Sequence, residues 1–525
     1  MDAYNLSKAI QEDESITCEE LMKLTLHHIQ KWNPIYNAII LVKDHDELLL
    51  QAKKYDIMLK KNSSSTELGW LHGIPMAIKD VSNAKGLPTT NGGSPLLCTS
   101  LQSLPLPSLH SDPYVSNMIQ DGAIIIGKTN TPESGLGSNT FNSLWGDTLN
   151  SYISDTSNHH QCNQLSAGGS SGGAAVAIST YMLTLSDGTD NMGSLRNPAG
   201  WNGIYSHRPT AGWIPSIKME ASSQRSNNSV LDILTYPAST PGPMARSPLD
   251  CALLLQSMMK GTNNHKLDIS SVQQTSKKEL KHKNKLRIGW LGDWNHQLPM
   301  EDGIVSTCHD ALQCWGQKSL GYDIEIVTKL PNLFDMELLW ETYNTIRFAS
   351  TYEAYSQKWD MDDLLNDKKH LMKEELAWEL EQGRFIMKEN NEETFERIRD
   401  MYDEYIQWLD STFSSDTNEG GLDILALPTA QVWPFPIKER YPKIIEKTHM
   451  DTYHRWMQVC IPVSLGGLPC TNIPAGFGGA NQMPMGIQLF AKRDKDLDLL
   501  KIAIDYHQVY TPKLRKRHFT FQDIS

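Results

Sequence analysis

Apolar positions along the chain follow two patterns, one helical and one typical of buried strands. A capping box at Thr17 opens the first helical pattern, and Asn33-Pro34 interrupts it. Short apolar or strand-like runs, separated by Gly, Ser and Pro turns, predict strands. These runs cover residues 74–78, 123–126, 285–291, 423–427 and 486–490.

Helical periodicity returns at three later places. Residues 174–179 start a helix directly after two glycines, and residues 497–510 form the last helical pattern. Residues 335–410 are charged, aromatic-rich and helical in period, which predicts a helical insertion or cap. The polar, lysine-rich stretch 262–285 is expected to be a surface excursion. Strands interleaved with helices predict an α/β sandwich.

Composition and charge narrow the function classes. The 525 residues include 61 acidic and 48 basic ones, and the net charge of −13 disfavours general binding to nucleic acid or anionic membranes. No apolar run approaches the roughly 18 residues of a membrane span, and the N-terminus lacks the basic and apolar regions of a secretory signal. Eight scattered cysteines form no C-x-x-C pair. We therefore expect a cytoplasmic protein with reduced thiols.

Paired histidines are the other candidates for a metal site. His27-His28 and His159-His160 have no third ligand at a spacing typical of metal sites. We therefore expect no metal.

The stretch GAIIIGKT, residues 122–129, matches the phosphate-binding pattern G-x-x-x-x-G-K-[ST]. A phosphate cradle needs a tight loop whose N–H groups converge on the anion. Ala123 and the three isoleucines that follow favour a buried strand, whose N–H groups are used in sheet hydrogen bonds. The sequence therefore predicts a strand and a turn here, and no nucleotide site.

The stretch AGGSSGG, residues 167–173, raises the question of a serine nucleophile. It satisfies G-x-S-x-G in two registers, centred on Ser170 or on Ser171. The nucleophile elbow of α/β-hydrolases requires a strand immediately before it, and the preceding NHHQCNQLS is polar and irregular. His207, His265 and His282 are candidate partners without a signature. The elbow is the less favoured interpretation.

A further interpretation joins three distant segments. Lys79 ends the apolar run of GIPMAIKD, and burying an ammonium there is costly unless the lysine is paired or neutral. A neutral lysine is a base, and bases activate serines. Ser170 and Ser194 lie in two Gly-flanked loops, separated by enough chain for one helix and a return strand to bring the loops together.

These segments resemble the amidase signature hydrolases. The matches cover most of residues 17–260 and 420–510, and such a set of spaced matches is highly specific. They run from GIPMAIKDVSNAKGLPTTNGGS through DGAIIIGKTNTPESGLGSNTFN, AGGSSGGAAVA and DGTDNMGSLRNPAGWNGIYSHRPTAGWIP to GPMARSPLD, with C-terminal echoes in LDILALPTA, SLGGLPCTNIPAGF and PMGIQLF.

The resemblance implies both a fold and a catalytic triad. The fold is a three-layer α/β/α arrangement with a large mixed β-sheet, forming a single domain over residues 1–525 that carries the helical insertion. In the implied Ser–cisSer–Lys triad, Ser194 takes the place of the acylated nucleophile and Ser170 that of the bridging serine, often on a cis peptide. Lys79 matches the base. No cofactor is needed.

Residues around the implied triad have expected or open roles. The oxyanion would be held by the main-chain N–H groups of Asn191, Met192, Gly193 and Ser194. The family usually has glycine at the position of Met192, whose side chain is expected to crowd the acyl side of the pocket. Gly135 matches a substrate-contact position of the fatty acid amide hydrolase branch, and it also fits a simple turn. Residues 151–164 are longer than the family's usual link and are expected to form a rim.

Other neighbours have structural interpretations. Asp190 and Arg196 flank the nucleophile and are expected to brace its loop. Ser171 either joins the hydrogen-bond network or caps the following helix, and we favour the cap. Trp433-Pro434 either lines the pocket or packs in the core, and we favour the core.

The sequence thus predicts a serine amidohydrolase acting on a small uncharged amide. A carbamate is a second expected substrate, because some yeast members of the family are urethanases. The expected partner is this small molecule, with the protein a monomer or homodimer. The alternative within the family is the amidase subunit of a glutamyl-tRNA amidotransferase, a multi-chain complex. The long insertion at 335–410 argues against that alternative, and a P-loop nucleotide-binding protein is the alternative from another class.

Overall fold

The computed structural model describes residues 1–61, 68–152, 164–215, 239–260, 284–330, 332–388, 392–414 and 421–510. The helices are α1 (Ala3–Gln11), α2 (Cys18–Tyr36), α3 (His45–Lys61), α4 (Pro113–Gln120), α5 (Gly172–Ser179), α6 (Arg196–Trp201), α7 (Pro248–Met258), α8 (Ile304–Lys318), α9 (Met336–Ser356), α10 (Met361–Asn366), α11 (Glu374–Lys388), α12 (Glu392–Phe413), α13 (Ile461–Leu465) and α14 (Asp496–Tyr510). Short 3₁₀ turns lie at Leu101–Ser103, Glu133–Gly135, Lys369–Leu371 and Arg455–Cys460.

The strands are β1 (Ile39–Val42), β2 (Pro75–Lys79), β3 (Ile124–Thr129), β4 (Phe141–Asn142), β5 (Gly146–Asp147), β6 (Leu185–Asp190), β7 (Tyr205–Arg208), β8 (Thr240–Ala245), β9 (Asn284–Trp290), β10 (Tyr322–Val327), β11 (Ile424–Pro428), β12 (Ile444–Ile445), β13 (Thr448–His449), β14 (Cys470–Gly478) and β15 (Met483–Phe490). The five strands predicted from apolar runs are all present, as β2, β3, β9, β11 and β15.

A mixed sheet of eight strands forms the centre of the molecule, in the order β10-β9-β11-β15-β14-β7-β8-β6. The pairs β10/β9 and β9/β11 are parallel, and the pairs from β11 to β6 are antiparallel. Helices pack against this sheet, among them α6, α8 and α14. The predicted α/β fold with a large mixed sheet is confirmed.

A second sheet of three strands, in the order β1-β3-β2, adjoins the edge strand β6. Hydrogen bonds join β2 to β6: Ser186 Oγ donates to the Ala77 carbonyl at 2.8 Å, the Lys79 N–H donates to Asp187 Oδ1 at 3.0 Å, and Lys79 Nζ lies 2.9 Å from Thr189 Oγ1. The edge strand β6 leads directly into the loop that carries Ser194. This junction therefore brings the end of β2 beside that loop.

The phosphate-loop match lies in β3, and the prediction of a strand there is confirmed. Strand β3 pairs with β1 on one side and with β2 on the other, so its N–H groups serve the sheet. Lys128 is buried, and its ammonium donates to the Ser82 carbonyl and to Thr89 Oγ1. Asp80 lies 3.7 Å from the same nitrogen. These groups leave no cradle for a phosphate in this segment.

The predicted end of the first long helix is wrong by less than one turn. Helix α2 includes Pro34 and continues to Tyr36. The Asn33 side chain accepts the N–H groups of Ala38 and Ile39, both at 2.8 Å, so it satisfies the chain just beyond the helix. Asn37 then ends the helix in the left-handed region, with a φ of 50°.

The predicted insertion is helical, and it consists of α9, α10, α11 and α12. Helix α9 packs against α11 and α12, and it also contacts α13. A small separate core holds α10 and α11 together, and Leu96 and Leu136 from the body of the protein pack against it. The insertion therefore rests on the segment around Leu136, close to Gly135.

Two sequence predictions fall outside the described ranges. The surface excursion at 262–285 lies outside them except for its last two residues, which begin β9. Residues 153–163 of the expected rim, with His159-His160, also lie outside. Among the helices described, none is both long and apolar enough to cross a membrane.

Candidate active site

Lys79 is a fully buried lysine whose side chain meets three hydroxyl groups. It ends β2, a strand in which every residue is buried. Its Nζ lies 2.7 Å from Ser170 Oγ, 2.9 Å from Ser171 Oγ and 2.9 Å from Thr189 Oγ1. These oxygens compensate for the water that burial removes from the amine. The contact predicted from the sequence, between Lys79 and Ser170, is thus present.

The backbone of Lys79 is held by a buried acid of the neighbouring strand β6. Asp187 Oδ1 accepts the Lys79 N–H at 3.0 Å, and Asp187 Oδ2 accepts the Tyr114 hydroxyl at 2.8 Å. Burial raises the pKa of Asp187 above its usual range, although Tyr114 and the Lys79 N–H act in the opposite direction. The acid therefore fixes where β2 ends, and with it the position of the lysine side chain.

The loop that carries Ser170 needs glycine for close packing. Gly168 has a φ of +75°, a conformation that favours glycine. A Cβ on Gly173 would collide with the backbone of Asn130 and Ala38. The peptide bond between Gly169 and Ser170 is cis. The glycines of AGGSSGG thus let the chain turn tightly and start α5 against its neighbours, which places Ser170 beside Lys79.

Ser171 joins the lysine network, so the favoured prediction of a helix cap is wrong. It precedes α5, but its side chain makes no capping hydrogen bond. Its Oγ instead lies 2.9 Å from Lys79 Nζ. The Ser171 hydroxyl therefore serves the buried amine of Lys79 and not a backbone N–H of the first turn.

Ser194 lies in a tight loop between β6 and α6, with 9% of its surface exposed. The Ser171 N–H donates to the Ser194 carbonyl at 3.2 Å, so the two serine loops are joined through their main chains. The side chain of Leu195, the next residue, packs beside Gly188 and Gly242, where a Cβ would lie 2.6 Å from it. Small residues around the loop therefore permit this close approach.

Asp190 and Arg196 brace the Ser194 loop, as predicted. Asp190 accepts the N–H groups of Gly193 at 2.9 Å and Leu195 at 3.1 Å. Arg196 donates to both carboxylate oxygens of Asp190, and Arg208 lies 3.3 Å from one of them. Burial alone would raise the pKa of Asp190, but the two guanidinium groups outweigh it and hold that pKa well below its usual range. The carboxylate is therefore charged and rigidly held.

Arg196 also connects the Ser194 loop to β15, to α13 and to the 3₁₀ turn that precedes α13. Its Nη1 donates to Gln488 Oε1 at 2.7 Å and to the Cys460 carbonyl at 3.0 Å, and its Nη2 donates to Ser464 Oγ at 2.8 Å. Every guanidinium nitrogen thus has an acceptor, which offsets the cost of burying the charge.

Because Asp190 accepts one of the four N–H groups expected to bind the oxyanion, three of them remain. The Gly193 N–H donates to Asp190 and is not free for a substrate oxygen. Within the described part of the chain, the N–H groups of Asn191, Met192 and Ser194 donate to no protein acceptor. Met192 itself is 5% exposed and belongs to the hydrophobic core, so its expected effect on the pocket stays a prediction.

Gly135 lies in a turn and close to the Ser170 hydroxyl. It ends the 3₁₀ turn Glu133–Gly135 with a φ of +67°. A Cβ built on it would lie 3.9 Å from Ser170 Oγ and 3.5 Å from Val81. These are ordinary van der Waals contacts, so the positive φ is what favours glycine here, and substrate contact at this position stays a prediction.

The other candidates lie elsewhere. His207 contacts Thr471 at 2.9 Å and Asp496 at 3.1 Å, which fills both ring nitrogens away from the serine loops. Trp433 packs on Gly478 and Gly479, in agreement with the favoured interpretation as a core residue. His265 and His282 lie outside the described ranges. In the ranges that the structure covers, no three His, Cys, Asp or Glu side chains gather as a metal-binding group.

Sequence reasoning missed three residues of the site. Thr189 contacts Lys79, Arg208 approaches Asp190, and Tyr343 of the insertion donates to Asn191 Oδ1 at 2.6 Å. Thr189 had a signal, because it lies in the quoted segment that contains Ser194. Arg208 has the same signal, because it lies in the same segment, whereas Tyr343 has none, because it reaches the site from the insertion.

Comparison with known proteins agrees with the resemblance seen in the sequence. The family model described as Amidase matches residues 20–500. A glutamyl-tRNA(Gln) amidotransferase subunit of Legionella pneumophila subsp. pneumophila is 28% identical over 530 residues, covering 97% of each chain. An acylamidase of Rhodococcus erythropolis is 28% identical over 506 residues, covering 94% of this chain and 92% of its own. A solved bacterial aryl acylamidase of the amidase signature enzymes superposes with a TM-score of 0.77 at 20% identity, covering 98% of this chain and 97% of that one. The chain therefore belongs to the amidase signature family.

Proposed function

We propose that this protein is an amidohydrolase that cleaves a small carboxamide through an acyl-enzyme on Ser194. The observation that carries the proposal is the contact of 2.7 Å between the buried amine of Lys79 and Ser170 Oγ, in a loop whose main chain is hydrogen-bonded to that of Ser194. A base, a relay hydroxyl and a nucleophile in adjoining loops are the components that acyl transfer needs.

The three hydroxyls around Lys79 suit a neutral amine. A neutral amine has two N–H donors and one lone pair, whereas an ammonium has three donors. With the N–H groups directed to Ser171 and Thr189, the lone pair faces Ser170 and can accept its proton. Ser171 and Thr189 then orient the base, and Ser170 becomes able to take the proton of Ser194.

The reaction follows from this order of proton acceptors. Ser194 Oγ attacks the amide carbonyl, and its proton passes to Ser170 while that of Ser170 passes to Lys79. The oxyanion receives hydrogen bonds from the N–H groups of Asn191, Met192 and Ser194. Ser170 then returns a proton to the leaving nitrogen, and water hydrolyses the acyl-enzyme along the same path.

The proposed substrate is small, and a carbamate is the second member of the proposed class. Only 9% of Ser194 is exposed, and the insertion contacts the adjoining residue Asn191 directly. A carbamate presents a planar carbonyl between a nitrogen and an oxygen, so the same nucleophile and oxyanion donors serve it. A substrate panel tests both parts of this proposal.

The panel measures kcat/KM for acetamide, propionamide, benzamide, ethyl carbamate and a long-chain fatty amide in one buffer, with Ser194→Ala protein as the background. We expect a short amide or the carbamate to lead. A fatty amide that leads by more than about tenfold, or about 1.4 kcal/mol of transition-state preference, would contradict the small-substrate proposal.

A second candidate is favoured by one comparison. The relative from Legionella pneumophila that covers 97% of this chain is named for its place in an amidotransferase of several chains. If this chain had such a place, its glutaminase activity would require partner chains. Purification of the tagged chain from its own cells, followed by a glutaminase assay with and without copurified chains, separates the two candidates. Full amidase activity of the chain alone supports the first.

A further inference from the structure

The helical insertion contacts the nucleophile loop through one hydrogen bond between side chains. The hydroxyl of Tyr343, on α9, donates to Asn191 Oδ1 at 2.6 Å. The two residues are 152 positions apart, and Asn191 begins the loop that carries Ser194. Tyr343 is 2% exposed, so water does not compete strongly for its hydroxyl.

A buried ion pair holds Tyr343 in place. Arg347, one helical turn further along α9, donates from Nη1 to the Tyr343 hydroxyl at 3.3 Å. Its Nε donates to Glu379 of α11 at 2.7 Å, and its Nη2 donates to the Tyr453 hydroxyl at 2.8 Å. Tyr453 in turn donates to Glu379. With all of its members paired, this array can remain charged in the interior and fixes the tyrosine.

Two side chains, those of Asp190 and Tyr343, therefore hold the Ser194 loop. Asp190 fixes it from within by accepting the N–H groups of Gly193 and Leu195. Tyr343 fixes it from outside at Asn191. The N–H of Asn191 is one of the three that remain for an oxyanion, and an oxyanion hole acts only when its donors are aimed before the reaction.

We propose that Tyr343 is a positioning residue for the oxyanion donors, through which the Arg347–Glu379 pair of the insertion controls the rate of acylation. This inference rests on the proposed function, because it assigns Tyr343 a role in the chemistry of Ser194. It gives the insertion a part in catalysis. Tyr343 acts through Asn191 and does not itself touch the reacting atoms.

The decisive variant is Tyr343→Phe, which removes the hydroxyl and keeps the ring. The matched control is Tyr506→Phe, because Tyr506 is also buried and its hydroxyl donates to a main-chain carbonyl, that of Pro474, at 2.6 Å. Three quantities are measured for each: kcat and KM for the best amide of the panel, the rate of labelling by a fluorophosphonate, and Tm. The label needs the oxyanion donors but no amide substrate.

We expect Tyr343→Phe to lower kcat and the labelling rate by about tenfold, with KM changed less than twofold. We expect Tm to fall no further than in Tyr506→Phe, whose kcat stays normal. In a double-mutant cycle, Asn191→Ala should show the same loss, and adding Tyr343→Phe should cost nothing more.

Two results would overturn the inference. Unchanged kcat and labelling show that the loop needs no support from Tyr343. A raised KM with normal kcat and labelling shows that the hydroxyl contacts substrate. If Tyr343→Phe loses stability, Asn191→Ala is the variant that decides, because it leaves the Arg347–Glu379 ion pair intact. A normal kcat in Asn191→Ala would then overturn the inference. Failure of the proposed function is distinct, because the unmodified protein would then not be labelled on Ser194.

Discussion

Lys79 Nζ lies 2.9 Å from the hydroxyl of Ser171, the residue that precedes helix α5. The same nitrogen has Ser170 and Thr189 as its other hydroxyl partners. A serine at the start of a helix usually bonds to a backbone N–H of the first turn. Here that hydroxyl is diverted to a buried amine, so its effect should appear in catalysis and not only in helix stability.

Ser171→Ala is expected to lower kcat by about two- to tenfold, because a hydrogen bond to a neutral amine contributes roughly 0.5–1.5 kcal/mol. Without this partner, the lone pair of Lys79 is less well directed at Ser170. The measurement is kcat for the best amide together with Tm. Ser179→Ala is the control, since Ser179 is buried in the same helix and bonds only locally, to the Val176 carbonyl. Equal activity of the two variants would restore the interpretation of Ser171 as a cap.

Ser194→Ala is expected to abolish turnover and to prevent covalent labelling by a fluorophosphonate, because the nucleophilic oxygen is removed. Peptide mapping of the labelled protein gives the site of the adduct. Ser206→Ala, which alters a buried serine bonded to the Leu195 carbonyl, should still be labelled. An adduct on Ser170 or Ser171 in the Ser194→Ala protein would contradict the assignment and favour the elbow interpretation.

Lys79→Ala is expected to lose activity most severely near neutral pH and to regain part of it in alkali. Without the base, Ser170 and Ser194 depend on hydroxide for deprotonation, and the rate then rises with pH. The test is the profile of kcat/KM against pH for the variant and the unmodified protein. Lys43→Ala is a control, because Lys43 is a partly buried lysine beyond the end of β1. A variant profile of unchanged shape would identify another residue as the base.

Asp190→Asn is expected to destabilise the protein by about 3–5 kcal/mol at pH 7, because Arg196 and Arg208 lose the charge that compensates them. The pKa of Asp190 lies below its value of about 3.9 in the unfolded chain. Its stabilising contribution is therefore complete above about pH 4 and is lost as the pH falls further.

The pH dependence gives a second readout for Asp190. Denaturant unfolding between pH 7 and pH 3 should show the free-energy difference between the unmodified protein and Asp190→Asn shrinking below about pH 4. Asp498→Asn, at an exposed ion pair 3.2 Å from Lys495, should change stability little at any pH. A constant difference across the range would mean that the Asp190 carboxylate is not held charged by the two arginines.

Much of the framework could be read from local sequence. Strands β2 and β3 begin as apolar runs, and such runs predict strands that are buried on both faces. The three isoleucines of β3 excluded a phosphate cradle for the same reason. The contact between Lys79 and Ser170 was expected from the family's motifs and from the cost of an unpaired buried amine.

Two predictions from local sequence were wrong, because residue type indicates a conformational preference and does not identify hydrogen-bond partners. Pro34 commonly ends a helix, yet the Asn33 side chain satisfies the N–H groups of Ala38 and Ile39 and lets α2 reach Tyr36. Ser171 has the residue type and position of a cap, yet its hydroxyl lies beside the Lys79 amine. In both cases the local preference, about 1 kcal/mol for a cap and about 3 kcal/mol against proline in a helix, does not record the hydrogen bonds of the folded chain.

The sequence by itself determined five of the strands, the helical character of residues 335–410, and the pairing of Lys79 with Ser170. Only the tertiary structure decided that Arg208 completes the brace and that Tyr343 holds Asn191. The physical reason is distance along the chain. Periodicity records whether a side chain is buried, but a hydrogen bond between residues 152 positions apart exists only once separate elements have packed together.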